Sequence, residues 1–140
     1  MKISPDRYAI DANVIVRYLL QDDLQHFQKA MSIMEGVEDG KLIVDLDPVN
    51  LAEVIWVLQS FYKRSAREIG TQLTDLLQHE GIMMPEKDRY LTALHRYMTD
   101  IPHFGDACAC TKAIEQCEGK LFSFDRKLDK APGVHRRERY

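Results

Sequence analysis

Short apolar runs alternate with segments of helical periodicity along the chain, and this alternation most limits what it can fold into. Tyr8–Asp11, Leu42-Ile43-Val44, Ile82-Met83-Met84 and Leu121–Phe124 read as strands. Between them the periodicity predicts helices over 13–20, 24–37, 48–62, 65–79, 86–100 and 106–118. Parallel strands must be joined by a crossover, and a helix is the usual one. Strands covered on both faces are largely apolar instead of alternating, and these four read that way apart from Asp11 and Ser123. The expected class is α/β, with three layers and a central parallel sheet of four or five short strands. No repeat and no Pro/Gly/Ser-rich linker divides the 140 residues, so one domain over 1–140 is expected.

Local signals place the helix ends. Asp47-Pro48 combines a capping aspartate with proline at the first helical position. Ser65 with Glu68 three residues on has the form of a capping box. The helix over 48–62 is apolar almost all round and is expected to be central, with Trp56 in the core. Leu24, Phe27, Met31 and Met34 form the apolar stripe expected of the second helix. Tyr90, Leu91, Leu94, Tyr97 and Met98 form that of the fifth.

Charge and cysteine usage narrow the setting. No apolar run approaches the roughly 18 residues of a membrane span, and Asp6, Asp11 and Asn13 interrupt any secretory pattern. Net charge is −3, but residues 1–119 carry −7 and residues 120–140 carry +4. The basic C-terminal segment, 126–140 above all, is either a phosphate-binding edge or a solvated tail, with Lys130, Arg136, Arg137 and Arg139 accordingly in contact with a partner or in solvent. Cys108, Cys110 and Cys117 match neither a redox nor a zinc spacing. They read as small apolar residues on a buried helix in a reducing compartment, which points to the cytoplasm.

Sites in parallel α/β folds form beyond the carboxyl ends of strands, and four acids have such addresses. Asp11 closes the first strand, Glu53 lies early in the apolar third helix, Asp106 follows Phe104-Gly105, and Asp125 follows Leu121–Phe124. Each also has a structural reading. Asp11, Asp106 and Asp125 stand where helix caps belong, and Glu53 could close a box begun by Asn50. Carboxylates that converge repel one another unless protonated, paired or neutralised by a cation, and oxygen donors suit Mg²⁺ or Mn²⁺. Walker, dinucleotide-binding, H-E-x-x-H and G-x-S-x-G patterns are all missing.

Asp11-Ala12-Asn13, Leu51-Ala52-Glu53-Val54, Phe104-Gly105-Asp106-Ala107 and Phe124-Asp125-Arg126-Lys127-Leu128, in that order, resemble the motifs of PIN-domain ribonucleases. Among these the chain is most similar to VapC-type toxins of toxin–antitoxin pairs, from about Tyr8 to Val134. The resemblance implies a metal-dependent endoribonuclease that hydrolyses RNA phosphodiesters, with structured RNAs such as tRNA or rRNA as substrates. It assigns the catalytic and metal-binding roles to Asp11, Glu53, Asp106 and Asp125, around Mg²⁺ or Mn²⁺. It also implies a homodimer and a VapB-type antitoxin partner. Asn13 and Ser123 are expected to support the site, and Arg17 and Arg126 to meet phosphates. Ala12 stands where the family often has Thr or Ser, and Ser123 where it often has Thr.

Three other readings compete. A haloacid-dehalogenase-like phosphatase would need a second Asp at position 13, which is Asn. A PIN nuclease could act in RNA maturation outside toxin–antitoxin systems. A catalytically silent binding module would use the acids only as helix caps.

Overall fold

A computed structural model describes residues 4–140, which divide into two compact units, one ending at Lys87 and the other running from Asp88 to Tyr140. The architecture is α/β and every strand pairing is parallel, as the alternation predicts.

In the first unit the order is β1 (Asp6–Ile10), α1 (Ala12–Leu20), α2 (Leu24–Glu38), β2 (Leu42–Leu46), α3 (Pro48–Ser60), α4 (Ala66–Leu77) and β3 (Ile82–Met83). β2 is the middle strand of a β1-β2-β3 sheet, with Ile10 opposite Leu46 and Val44 opposite Ile82. Four helices here begin at a side-chain cap. Asp11, Asp23, Asp47 and Ser65 each accept a backbone N–H of the first turn. At Ser65 half of the capping box forms: Glu68 N–H donates to Ser65 Oγ at 3.1 Å, while the Glu68 carboxylate accepts from the Ser65 hydroxyl at 3.3 Å and not from the Ser65 N–H. The core gathers Ile15 and Val16, Met34 and Val37, Leu51, Val54, Ile55 and Leu58, and Ile69, Leu73 and Leu77 around Val44, Leu46 and Ile82.

Three expectations change here. α3 is not buried all round: Leu51, Val54, Ile55 and Leu58 face the core, while Val49 is 75% exposed and Trp56 58%. Trp56 therefore lies outside the core, its ring edge-on to Phe61 at 5.5 Å. In α2 the buried stripe is Ala30, Met34 and Val37, so Leu24 and Met31 turn outward. β1 buries only Ile10, with Asp6, Arg7, Tyr8 and Ala9 exposed, so the expected buried strand holds at its last residue alone.

In the second unit come α5 (Lys87–Thr99), α6 (Phe104–Gln116), β4 (Lys120–Phe122), a 3-10 turn (Arg126–Lys130) and β5 (His135–Arg137). Its core is Ala93, Leu94, Tyr97, Ile101, Phe104, Ala107, Cys110, Ala113, Leu128 and Val134. Thr111 is buried too, and its hydroxyl donates to the Ala107 carbonyl at 2.7 Å. The strand expected over 121–124 ends at Phe122, and both Phe122 and Phe124 are exposed. The basic tail contains a strand: β5 pairs with β4, Lys120 opposite His135 and Phe122 opposite Arg137. Of the three cysteines Cys110 is buried, Cys108 half-buried and Cys117 exposed, and all are free thiols. The buried-helix reading therefore fails for Cys117. Among the described residues no helix is long and apolar enough to cross a membrane.

Candidate functional site

β1 delivers Asp11 to the carboxyl end of the first unit's sheet. The residue has extended backbone, and its Oδ1 accepts the Asn13 N–H at 2.7 Å, so the expected cap is real. This bond occupies one carboxylate oxygen and leaves the exposed side chain otherwise unpaired. Asn13 thus supports Asp11 through its main chain. Ala12 is buried at the first helical position, which accounts for a small apolar residue there.

Glu53 lies on the exposed side of α3. The box suggested with Asn50 does not form, because Asp47 caps the helix one turn earlier. Asn50 instead donates its side-chain N–H to the Ile10 carbonyl at 3.5 Å, tying the first turn of α3 to the end of β1. Glu53 follows Asn50 by three residues, hence on the same helix face. The anchor is a role that periodicity could not reveal, since it depends on a carbonyl 40 residues away.

Arg17 is committed within its own unit. Its guanidinium meets Asp22 at 3.2 Å, and Tyr62 and Asp22 together keep its charge favoured against desolvation. That engagement leaves less of it for a phosphate than the sequence suggests.

In the second unit α6 starts at Phe104, two residues before the expected position, so Asp106 is not its cap. His103 occupies the cap position without a side-chain bond, and Asp106 sits in the first turn beside unsatisfied N–H groups, where the helix dipole favours an anion. Four residues on, burial pushes the Cys110 thiol upward; Asp106 and Asp100 add to this and Arg96 opposes it. Arg96 was not singled out in the sequence, yet its Nε is buried without a hydrogen-bond partner.

Asp125 caps the 3-10 turn, accepting the Lys127 N–H at 3.0 Å. Its own N–H donates to Ser123 Oγ at 3.1 Å, so the serine hydroxyl fixes the backbone that presents the acid. The Ser123 carbonyl in turn accepts from Arg136 at 2.9 Å. Arg136 has a side chain only 10% exposed and also bonds Asp129 and Glu138. It is a structural tie, not a free charge of the tail. Arg126 is exposed at the start of the turn.

The four acids therefore divide by function. Asp11 and Asp125 cap, each engaging one oxygen. Glu53 and Asp106 neither cap nor pair, whereas Asp22, Asp45, Glu68, Glu115, Asp129 and Glu138 are all in ion pairs. Accessible carboxylate oxygens are the donors a hard divalent ion takes. Among the described residues, however, no three His, Cys, Asp or Glu side chains are grouped to hold one metal ion.

The PIN domain family profile matches residues 8–134, an interval that contains all four acids. Comparison with curated proteins gives no match.

Proposed function

The chain belongs to the PIN-domain family, whose members are generally metal-dependent nucleases, and from that premise we propose that it is an endoribonuclease, the toxin of a type II toxin–antitoxin pair. The observation that carries the reading is that none of the motif acids is spent in an ion pair, with Asp11 and Glu53 exposed and Asp106 and Asp125 half-buried. Two of them, Glu53 and Asp106, have no structural bond to account for them.

The donor set fits Mg²⁺ or Mn²⁺ in chemistry, although no closed cage is present among the described residues. Asp11 and Asp106, with Glu53 and Asp125, are the residues that would hold it. When bound, such an ion supplies Lewis acidity at the phosphate and lowers the pKa of a bound water. The chain's own contribution is presentation. The Asn13 N–H orients Asp11, Asn50 anchors the helix carrying Glu53, and Ser123 and Arg136 hold the turn carrying Asp125. In this reading the protein also forms a homodimer and is silenced by a VapB-type antitoxin.

Cleavage of RNA by the purified chain, with Mg²⁺, Mn²⁺ or EDTA, tests the activity against Glu53→Gln and Asp106→Asn. Both variants are expected to melt within a few degrees of the parent and to lose cleavage by more than a hundredfold. Asp106→Asn protein that cuts as the parent does would refute the assignment. RNA binding without cleavage by the parent would favour the silent module. Inducing the lone gene in a bacterium tests the toxin role: growth should arrest with the parent and continue with Asp11→Asn. Continued growth with both would refute it.

A further inference from the structure

Arg136 lies beyond the interval 8–134 that the family profile matches, so none of the motifs accounts for it. Within the second unit its guanidinium reaches both ends of the segment that carries Asp125. Nη1 donates to the Ser123 carbonyl at 2.9 Å, just before the acid. Nε and Nη2 donate to the two oxygens of Asp129 at 2.7 and 3.2 Å, at the far side of the turn that the acid opens. Nη1 also donates to Glu138 Oε1 at 2.8 Å, on the residue that follows β5. The arginine is itself held in a strand. The Ser123 N–H donates to the Arg137 carbonyl at 3.0 Å, and the His135 N–H to the Gly119 carbonyl at 2.7 Å.

The turn after Asp125 has little to hold it in place by itself. A short 3-10 segment makes few and poorly aligned bonds of its own, and Leu128 is the buried side chain within Arg126–Lys130. To act as a ligand, Asp125 needs its backbone and the rotation of its carboxylate fixed. Ser123 Oγ fixes the backbone by accepting the Asp125 N–H at 3.1 Å. The Lys127 N–H fixes the carboxylate by donating to Oδ1 at 3.0 Å, which leaves Oδ2 free. Both supports belong to the segment 123–129, whose two ends Arg136 grips. A guanidinium is planar and its donors keep fixed angles, so a carbonyl and a carboxylate bound to one such group are held at one separation. Asp129 and Glu138 alone would neutralise the charge of Arg136. The bond to a main-chain carbonyl adds geometry instead, and it falls on the residue whose hydroxyl holds Asp125.

We propose that Arg136 is a positioning residue for Asp125: it clamps the segment 123–129 and so sets the direction in which Asp125 offers its free oxygen. Through this clamp the C-terminal strand β5 bears on catalysis without contacting substrate. The effect on cleavage rests on the nuclease reading, whereas the effect on Asp125 rests on the hydrogen bonds alone.

Arg136→Lys tests the clamp, because it keeps the charge and replaces the planar fork with a single flexible ammonium. Amide hydrogen exchange followed by NMR, in EDTA and without RNA, reads the positioning directly. The Asp125, Lys127 and Leu128 amides should exchange about tenfold faster in the variant, as expected for one lost hydrogen bond. The Cys110 and Thr111 amides, in the middle of α6, should keep the parent's rates. In RNA cleavage at saturating Mn²⁺, kcat should fall about tenfold to a hundredfold with KM unchanged, because a ligand is misplaced and no substrate contact is lost. Asp129→Ala releases only the far end of the segment and should show the same pattern more weakly. It decides the matter if Arg136→Lys does not fold. Unchanged exchange at Lys127 would overturn the proposal. So would faster exchange at Cys110 and Thr111 in step with the turn, which would make Arg136 a contributor to stability only. Loosened amides with cleavage at the parent's rate would overturn it as well. If the parent cuts RNA and neither readout moves, only this proposal falls. If the parent cuts nothing, the nuclease reading falls, and loosening confined to the turn still upholds Arg136 as the holder of Asp125.

Discussion

Alanine at Gly119 meets two separate penalties, and Gly133 in the same unit isolates one of them. Both glycines have φ +81°, where a Cβ crowds the backbone at a cost of about 1–2 kcal/mol. Alanine also narrows the unfolded ensemble, which offsets about 0.4–1 kcal/mol. At Gly133 nothing further happens, since the new Cβ would rest 3.5 Å from Ile114 Cδ1 in ordinary contact. Gly133→Ala is therefore expected to cost about 1 kcal/mol. At Gly119 the Cβ would overlap the Gly133 carbonyl oxygen and come within 3.0 Å of His135 Cδ2. The neighbour is backbone and cannot rotate away, so the segment entering β5 must move by about 1 Å. That movement strains the 2.7 Å bond from the His135 N–H to the Gly119 carbonyl. Losing it costs about 0.5–1.5 kcal/mol, and the crowding itself about 1–3 kcal/mol. Gly119→Ala is thus expected to destabilise by about 3–5 kcal/mol in all. Urea denaturation of both variants, followed by circular dichroism, measures the difference. A gap between them below about 1 kcal/mol would refute the reasoning, because φ alone would then explain both.

On α3, Leu51→Ala should cost about 2–5 kcal/mol and Trp56→Ala less than about 1 kcal/mol, since Leu51 is 0% exposed and Trp56 is mostly in water. Equal losses in denaturation would mean that α3 is buried on both faces after all. The thiols should differ as sharply. Burial pushes Cys108 up to about 11 and also raises Cys110, so alkylation at pH near 8 should label exposed Cys117 first. Mass spectrometry showing early adducts on Cys108 would contradict that burial. Acid stability has a worked sign. Asp23, Asp45 and Asp129 are held below the ordinary carboxylate value by hydrogen bonds with His26, Arg7 and Arg136. Their stabilisation is complete above the ordinary value of 3.8 and is lost as pH falls through the depressed one. Melting temperature against pH should fall less steeply below about pH 4 in Asp23→Asn/Asp45→Asn/Asp129→Asn; superimposable acid limbs would exclude these groups.

The helices were legible because their signals are local. Asp47-Pro48 and Ser65 with Glu68 carry their caps within four residues, and the structure uses both. Periodicity counts apolar residues but not the surfaces available to cover them, which is why α3 looked buried all round and Trp56 was placed in the core. Asp106 failed as a cap for a different reason. Phe104 is core, edge-on to Tyr97 at 6.0 Å, and burying it draws the helix start two residues upstream. The addresses of Asp11 and Asp125 were readable, since both follow a strand and open a helical turn. Their supports were not: Asn50 reaches a carbonyl on β1, and Arg136 reaches one at the end of β4. Both are long-range bonds to main chain, which leave no pattern in a window of neighbouring residues.

β5 is the extreme case, and it alters what the charge of the chain means. His135-Arg136-Arg137 contains nothing apolar, so hydropathy assigns it to a solvated tail. It becomes a strand through backbone pairing with β4 and through Arg136, whose acceptors lie on Ser123, Asp129 and Glu138. One arginine of the segment is therefore consumed in holding the strand, and the pleat turns its neighbour outward beside Phe122. A sum over the segment treats these two arginines as equal. Alternation along a strand separates them into a tie and an outward charge.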